Sequence, residues 1–421
     1  GIRDHCVTGV QKCALPIYKN NFVQMEDYIG QLFDQIDEND VRITDDDEKI
    51  CIWNYVGSNK SKFNIIRGYI TDIKNRKKLI CPSLGSTDEF TVEDKENCFA
   101  FMEKYTDEWQ WFYAIEGTMV RLFYFENQWY LSTHKKLSAF QSRWSCRLSF
   151  GEIFIEYLRE IYPHSDNIYT DFLKTLDCKK IYYFILRSNI HNRIICDISS
   201  IECGKKIVFF AYRNENHNLI LNDEKCSLLS ELQKPTKLKN ISKENLFNFV
   251  ENEINPIIHQ GIIGFHQEKN LNVKIVNLKY KTLSKIRGNN PNIRLRYLEI
   301  RGNENNKSIF TQLYPNFQKV FNNYEHIISK IATFIHFSFM ERYIRGKYIT
   351  LPKEEYIVLR KCFEYSQQNG KITYDDVLQI LNFENPLYIY KMIHRFKMKE
   401  TTESFNYRKN DILFFNNLLH A

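Results

Sequence analysis

The sequence predicts an α+β protein: a core of antiparallel sheets flanked by helices, then an all-α C-terminal domain. Short runs with strand alternation arrive in neighbouring pairs between residues 50 and 277, which favours antiparallel pairing over a doubly wound parallel sheet. From about Asn316 the apolar spacing changes to helical periods. The length, 421 residues, leaves room for two or three domains.

Residues 1–17, GIRDHCVTGVQKCALPI, back-translate to an indexed sequencing adapter with one departing base, at Lys12. They read as a scar from an assembled environmental library, so His5, Cys6 and Cys13 carry no functional weight. The protein's own N-terminus is then not fixed by this sequence. Within 18–49, the residues Phe22, Tyr28, Ile29, Leu32, Phe33 and Ile36 form the apolar stripe of a helix over 22–37, closed by the acidic turn DDDEK. Runs 50–56, 64–70 and 77–81 read as strands, 93–105 as a helix, and 109–133 as three strands joined by tight turns. A helix over 151–162 precedes strands over 180–188, 193–199 and 205–213. A helix over 242–254 then leads to strands over 260–265 and 272–277. The segments 316–347, 352–368, 375–382 and 385–397 are helical by period. These elements place a core over 50–305 and a helical domain over 306–421.

Composition excludes several classes. No apolar run is long enough to span a bilayer, and no signal peptide follows the scar. Past residue 17 the cysteines form no C-x-x-C pair, which argues for free thiols in a reducing, cytoplasmic compartment. The histidines show no metal-site spacing either. The net charge of +7 is modest but unevenly placed. Residues 26–48 carry ten acids against the single base Arg42. Between 271 and 310 stand Lys274, Lys279, Lys281, Lys285, Arg287, Arg294, Arg296, Arg301 and Lys307, opposed only by Glu299 and Glu304. With Tyr280 and Tyr297 among them, this block suits a polyanion such as RNA or a phosphate chain, or else a solvated basic face.

Five blocks carry a resemblance. They are Arg67-Gly68 in IIRGYITDIKNRKKLICPS, then AIEGTMVRLFYFENQWYLST, IYYFILRSNIHNRIIC, HQGIIGF and VKIVNLKY. In this order they resemble the motifs of phage-type RNA ligases, in the covalent nucleotidyltransferase superfamily, and more closely the ligase-like proteins of large DNA viruses. The resemblance implies an ATP-grasp-like ligase core. In that family the lysine of a Lys-x-Asp/Glu-Gly turn attacks the α-phosphate of a nucleoside triphosphate and forms a nucleotidyl-lysine. The neighbouring carboxylate binds the ribose. Two later glutamates hold metal or order the lysine, and final lysines neutralise the departing phosphates.

This chain keeps the frame and loses the charges. Ala114 stands at the nucleophile position, Ile185 or Leu186 at the first glutamate, Gln260 at the second, and Val276 beside the surviving Lys274. No catalytic residue and no metal ligand is therefore assigned. The resemblance leaves Glu116, Gly117, Arg121, Gln260 and Lys274 as nucleotide-binding positions, with Asn192 and Arg193 also retained. No cofactor is fixed by the residues, although ATP or GTP with magnesium is what the resemblance admits. Lys279, Lys281, Lys285, Arg287, Arg294, Arg296 and Arg301 form the candidate RNA-binding set. The expected function is a catalytically degenerate ligase-like protein that binds RNA or a nucleotide. Its alternatives are an active ligase using a displaced lysine (Lys104, Lys135 and Lys136 lie outside the motif) and a viral structural or assembly protein on the same scaffold. Glu116 also reads as a plain turn carboxylate, Trp129 and Trp144 as core, His336 as a packing residue, and 374–376 as a helix start.

Overall fold

The computed structural model describes residues 39–56, 66–84, 87–105, 109–144, 147–187, 195, 207–215, 218–221, 231–266 and 271–406. The helix expected over 22–37 lies outside them, as do Asn192, Arg193 and, apart from Ile195, the strand expected over 193–199. The architecture is α+β, with antiparallel sheets first and helices after, as the sequence predicts. Contacts divide the chain into two compact units that part between Leu278 and Lys279, whereas the sequence pattern drew that line at 305/306.

The N-terminal unit holds three sheets. The first is β1 (Val41–Asp46), β2 (Ile50–Tyr55), β3 (Tyr69–Asp72) and β4 (Leu79–Cys81) in that order, all antiparallel. The DDDEK segment is therefore the bend of a hairpin, not the end of a helix. Asp47 Oδ1 accepts from the backbone N–H groups of Lys49 at 2.7 Å and Ile50 at 2.8 Å. A carboxylate that bonds the chain two and three residues on makes a tight turn from an acidic run. Arg67 and Gly68 sit in the turn before β3, and Gly68 has φ +78°, where a side chain is strained.

β6 (Trp109–Ala114) belongs to a sheet ordered β5 (Asp88–Phe90), β13 (Leu271–Val276), β12 (Gly261–His266), β6. Its one parallel pairing is β13 with β5, a three-residue strand too short and polar to read from sequence. The other sheet is ordered β11 (Leu219–Leu221), β10 (Ile207–Arg213), β9 (Ile181–Leu186), β7 (Thr118–Phe125), β8 (Gln128–Ser132). β7 and β8 meet through Glu126 and Asn127, both at positive φ, the twist a two-residue hairpin prefers.

Strand alternation sorts the two faces of this five-stranded sheet. Val120, Leu122, Tyr182, Phe184 and Leu186 join a core with α2 (Phe150–Ile161) and α3 (Ile168–Lys174), both numbered after α1 (Lys95–Met102). Trp129 and Trp144 pack on that same core. α2 begins with a capping box between Ser149 and Glu152 and buries Ile153, Phe154 and Leu158 almost completely, each burial contributing about 1.5–3 kcal/mol. Phe123, Ile181, Tyr183 and Ile185 point the other way, into an inter-sheet core with Ile52 and Ile70 of the first sheet and Phe112 and Phe265 of the third. α4 (Leu246–Asn252) covers the third sheet's far face through Leu246, Phe247 and Val250.

The C-terminal unit is helical: α5 (Leu278–Arg287), α6 (Ile293–Ile300), α7 (Glu304–Leu313), α8 (Gln318–Phe339), α9 (Lys353–Asn369), α10 (Tyr374–Asn382) and α11 (Pro386–Asn406). α8 is the axis, with Phe321, Tyr324, Ile328, Ile331 and Ile335 recurring three and four apart on the face it buries. Thr373 caps α10 with Asp376, so 374–376 open a helix as expected. His336 bonds the Ile372 carbonyl at 3.2 Å, a packing role. Among the described residues no helix is long and apolar enough to cross a membrane.

Candidate functional site

The five blocks meet at one cleft of about 230 Å³ in the N-terminal unit. Arg67 comes from the turn before β3, Ala114 from the end of β6 and Gly117 from the turn after it. Ile185 comes from β9, Gln260 from the residue before β12, and Lys274 from β13. Apolar side chains make most of the remaining wall, including Met119, Phe210, Ile263 and Phe265.

Local structure explains how each arrives there. Ala114 is the last residue of β6, paired with Gly261 of β12, and its carbonyl accepts from Gln260 N–H at 3.1 Å. Gly261 has φ +148°, and a Cβ there would stand 2.0 Å from the Ile275 carbonyl oxygen. The glycine after Gln260 is thus demanded by backbone crowding, whatever chemistry the site performs. Gly117 is as constrained, since a Cβ would meet Ile185 Cγ2 at 2.4 Å and the Leu186 carbonyl at 2.6 Å. The register left open by sequence is now decided. Ile185 faces the cleft, while Leu186 faces α2 and α3.

Lys274 Nζ lies 2.6 Å from the Glu89 carboxylate on β5, with its own side chain largely covered. His134 also lines the cleft, although nothing in its sequence context singled it out. Burial, helped by the Arg121 and Arg67 cations, pushes its imidazole down to about 3, so it is neutral at physiological pH. At the rim His259 stacks on Tyr113 with ring centroids 4.6 Å apart. Burial, with Arg187 nearby, pushes His259 down to about 4.

Two residues expected at the nucleotide do not line the cleft. Arg121 is buried on the inner face of β7, where it donates to the Gly68 carbonyl and, at 2.7 Å, to the Thr133 carbonyl. It rivets the Arg67-Gly68 turn to the end of β8, and its fork is occupied by backbone. Glu116 sits half-buried in the turn after β6, with its carbonyl receiving Arg187 Nε at 3.2 Å.

The fit of a metal can be judged from the donors. A nucleotide-bound magnesium ion wants oxygen ligands, carboxylates first. The two positions that would carry them hold the Ile185 hydrocarbon and the Gln260 amide, and no carboxylate is among the lining residues. Among the described residues no group of three or more His, Cys, Asp or Glu side chains could hold a metal ion. The cleft does not fit magnesium. Lys274 is the one lysine in its lining; Lys104 and Lys135 are exposed outside it, and Lys136 pairs with Asp45 at 2.7 Å.

The basic block, in the C-terminal unit, divides by helix phase. Arg287 is buried, donating to the Asn290 carbonyl at 2.8 Å and lying over the Tyr314 ring. Arg296 donates to the Ile286 carbonyl at the end of α5 and pairs with Glu299. Arg301 is buried in a two-pronged bond to Glu325 at 3.0 and 2.8 Å. These three arginines of the expected RNA-binding set are engaged by partners within the C-terminal unit. Lys279, Lys281, Lys285 and Arg294 remain exposed.

No family model matches the chain. It is 25% identical over 337 residues to the immediate-early protein ICP-46 homolog of invertebrate iridescent virus 3, covering 78% of this chain and 72% of that protein. With the ICP-46 homolog of invertebrate iridescent virus 6 it shares 29% over 266 residues, 60% of this chain and 57% of the other. An archaeal ATP-dependent RNA ligase superposes with TM-score 0.41 and 9% identity over 69% of this chain and 72% of its own. A Naegleria gruberi RNA ligase with PPi does so with TM-score 0.32 and 11% identity over 49% and 59%. The chain thus spans under two thirds of the Naegleria ligase and of the second viral relative. Superpositions this loose carry no argument about function.

Proposed function

We propose that this chain is an RNA ligase-like protein without nucleotidyl transfer, which holds a nucleotide or an RNA end non-covalently in the cleft. One observation carries the reading. Residues from all five motif-like blocks, far apart in sequence, line a single cleft between sheets. Blocks that matched by chance would have no reason to converge.

The same convergence supports the loss of chemistry. Ala114 cannot attack phosphorus, Ile185 offers no ligand at all, and Gln260 offers a neutral amide oxygen in place of a carboxylate's charge. What remains is a recognition surface, with apolar walls to cover a base and Arg67 and Lys274 to meet phosphate. The exposed Lys279, Lys281, Lys285 and Arg294 supply sequence-independent contacts to an RNA backbone.

The test is incubation with α-phosphate-labelled ATP or GTP and magnesium, followed by a denaturing detergent quench at alkaline pH. The expected result is no protein-bound label, alongside measurable, salt-sensitive RNA binding. An alkali-stable, acid-labile adduct overturns the proposal, and its loss in Lys274→Met would locate a displaced nucleophile. Absence of both nucleotide and RNA binding would favour the scaffold reading instead.

A further inference from the structure

We infer that the cleft takes one nucleotide unit bearing a phosphate without any divalent cation, Lys274 and Arg67 standing where a metal would otherwise neutralise the charge. This rests on the reading just given and narrows its ligand. Three observations lead to it. Among its described residues the lining contains two cations and no carboxylate, so a metal would have to rely on the ligand's own phosphates and on neutral protein oxygens. The Glu89 carboxylate that pairs with Lys274 is itself mostly exposed, so an incoming phosphate competes for Lys274 against a partner that water already stabilises. The volume, about 230 Å³, lies just under the roughly 300–1,000 Å³ of small-molecule sites, which suits a single nucleotide unit rather than several.

Two sources offer that chemistry, a free mononucleotide and the 5′-phosphorylated end of an RNA strand. Calorimetry on the full chain with AMP, and separately with a short 5′-phosphorylated oligoribonucleotide, distinguishes them, each in EDTA and in magnesium. The expected result is binding of at least one probe with affinity unchanged within about threefold between the two buffers. AMP alone assigns the mononucleotide, and the oligonucleotide alone assigns the strand end. Binding weakened about tenfold or more by EDTA overturns the inference while leaving the proposed function standing. No binding of either probe in either buffer overturns both. Lys274→Met keeps the aliphatic stem and should weaken binding in EDTA by about tenfold with an unchanged circular dichroism spectrum. Unchanged affinity in that variant removes Lys274 from the site and overturns the inference.

Discussion

Replacing Arg121 separates a structural rivet from a ligand contact. In Arg121→Met, two charge-assisted hydrogen bonds to the Gly68 and Thr133 carbonyls disappear, and both acceptors lie in a buried setting. Each such bond contributes about 1.5–3 kcal/mol. Their joint loss is offset by about 1–2 kcal/mol, because methionine no longer has to bury a guanidinium cation. The net expectation is a loss of about 2–4 kcal/mol in the N-terminal unit, large against a typical stability of about 5–15 kcal/mol. Urea unfolding followed by tryptophan fluorescence reads it as a fall in midpoint at unchanged slope. Arg121→Lys, which cannot reach both carbonyls in a fork, should fall between the two. The reasoning fails if Arg121→Met unfolds within about 0.5 kcal/mol of the parent while nucleotide affinity collapses. That result would return Arg121 to the ligand.

Gly261→Ala should cost at least about 2 kcal/mol, because its Cβ collides with the Ile275 carbonyl at a φ that L-residues avoid; thermal unfolding checks it. Acid should destabilise the N-terminal unit. His134 and His259 have folded values below the usual 6.5, so the unfolded chain binds more protons, and stability present above about pH 6.5 falls toward pH 4 and 3. Urea midpoints at pH 7, 5 and 4 measure the fall, and a flat profile would mean the imidazoles are not buried neutral. Charge reversal of Lys281, Lys285 and Arg294 together should lower RNA affinity and reduce the salt slope by about one per lost phosphate contact, leaving stability unchanged. Arg301→Met should instead cost about 1–3 kcal/mol, removing the two-pronged bond while Glu325 keeps the Tyr297 hydroxyl.

What could be read from sequence follows from which signals are local. The strands over 118–125 and 181–186 were legible as short apolar runs rich in aromatic and β-branched residues, the pattern of a sheet buried on both faces. That pattern could not separate Ile185 from Leu186, since both are apolar and the sheet is covered on both faces. Arg121 stood out as a cation in a strand, but the carbonyls it meets belong to residues 68 and 133, which no local pattern links to it. In the basic block, charge density was visible but helix phase was not, so buried Arg287 and Arg301 were counted with exposed Lys281 and Lys285. β1 was hidden by its acidity, because DDDEK reads as a solvated turn until Asp47 is seen bonding the backbone of Lys49 and Ile50. His134 had no signal at all. It becomes a site residue only because the end of β8 lies against the turn at Gly68.

On the reading proposed above, the packing of Ile185 beside Gly117 bears on whether a loss of chemistry could be undone. By the resemblance, regaining it would require a lysine at 114 and carboxylates at 185 and 260. A glutamate at 185 alone would put a carboxylate on an apolar stretch of wall, a desolvation cost that Arg67 and Lys274 elsewhere in the lining offset only in part. A lysine at 114 alone would enter a cleft that already holds two cations and no acid among its lining residues. Each single step leads downhill, and only the combination recovers. On that reading, a hydrocarbon wall gives the route back a barrier that the route out lacked.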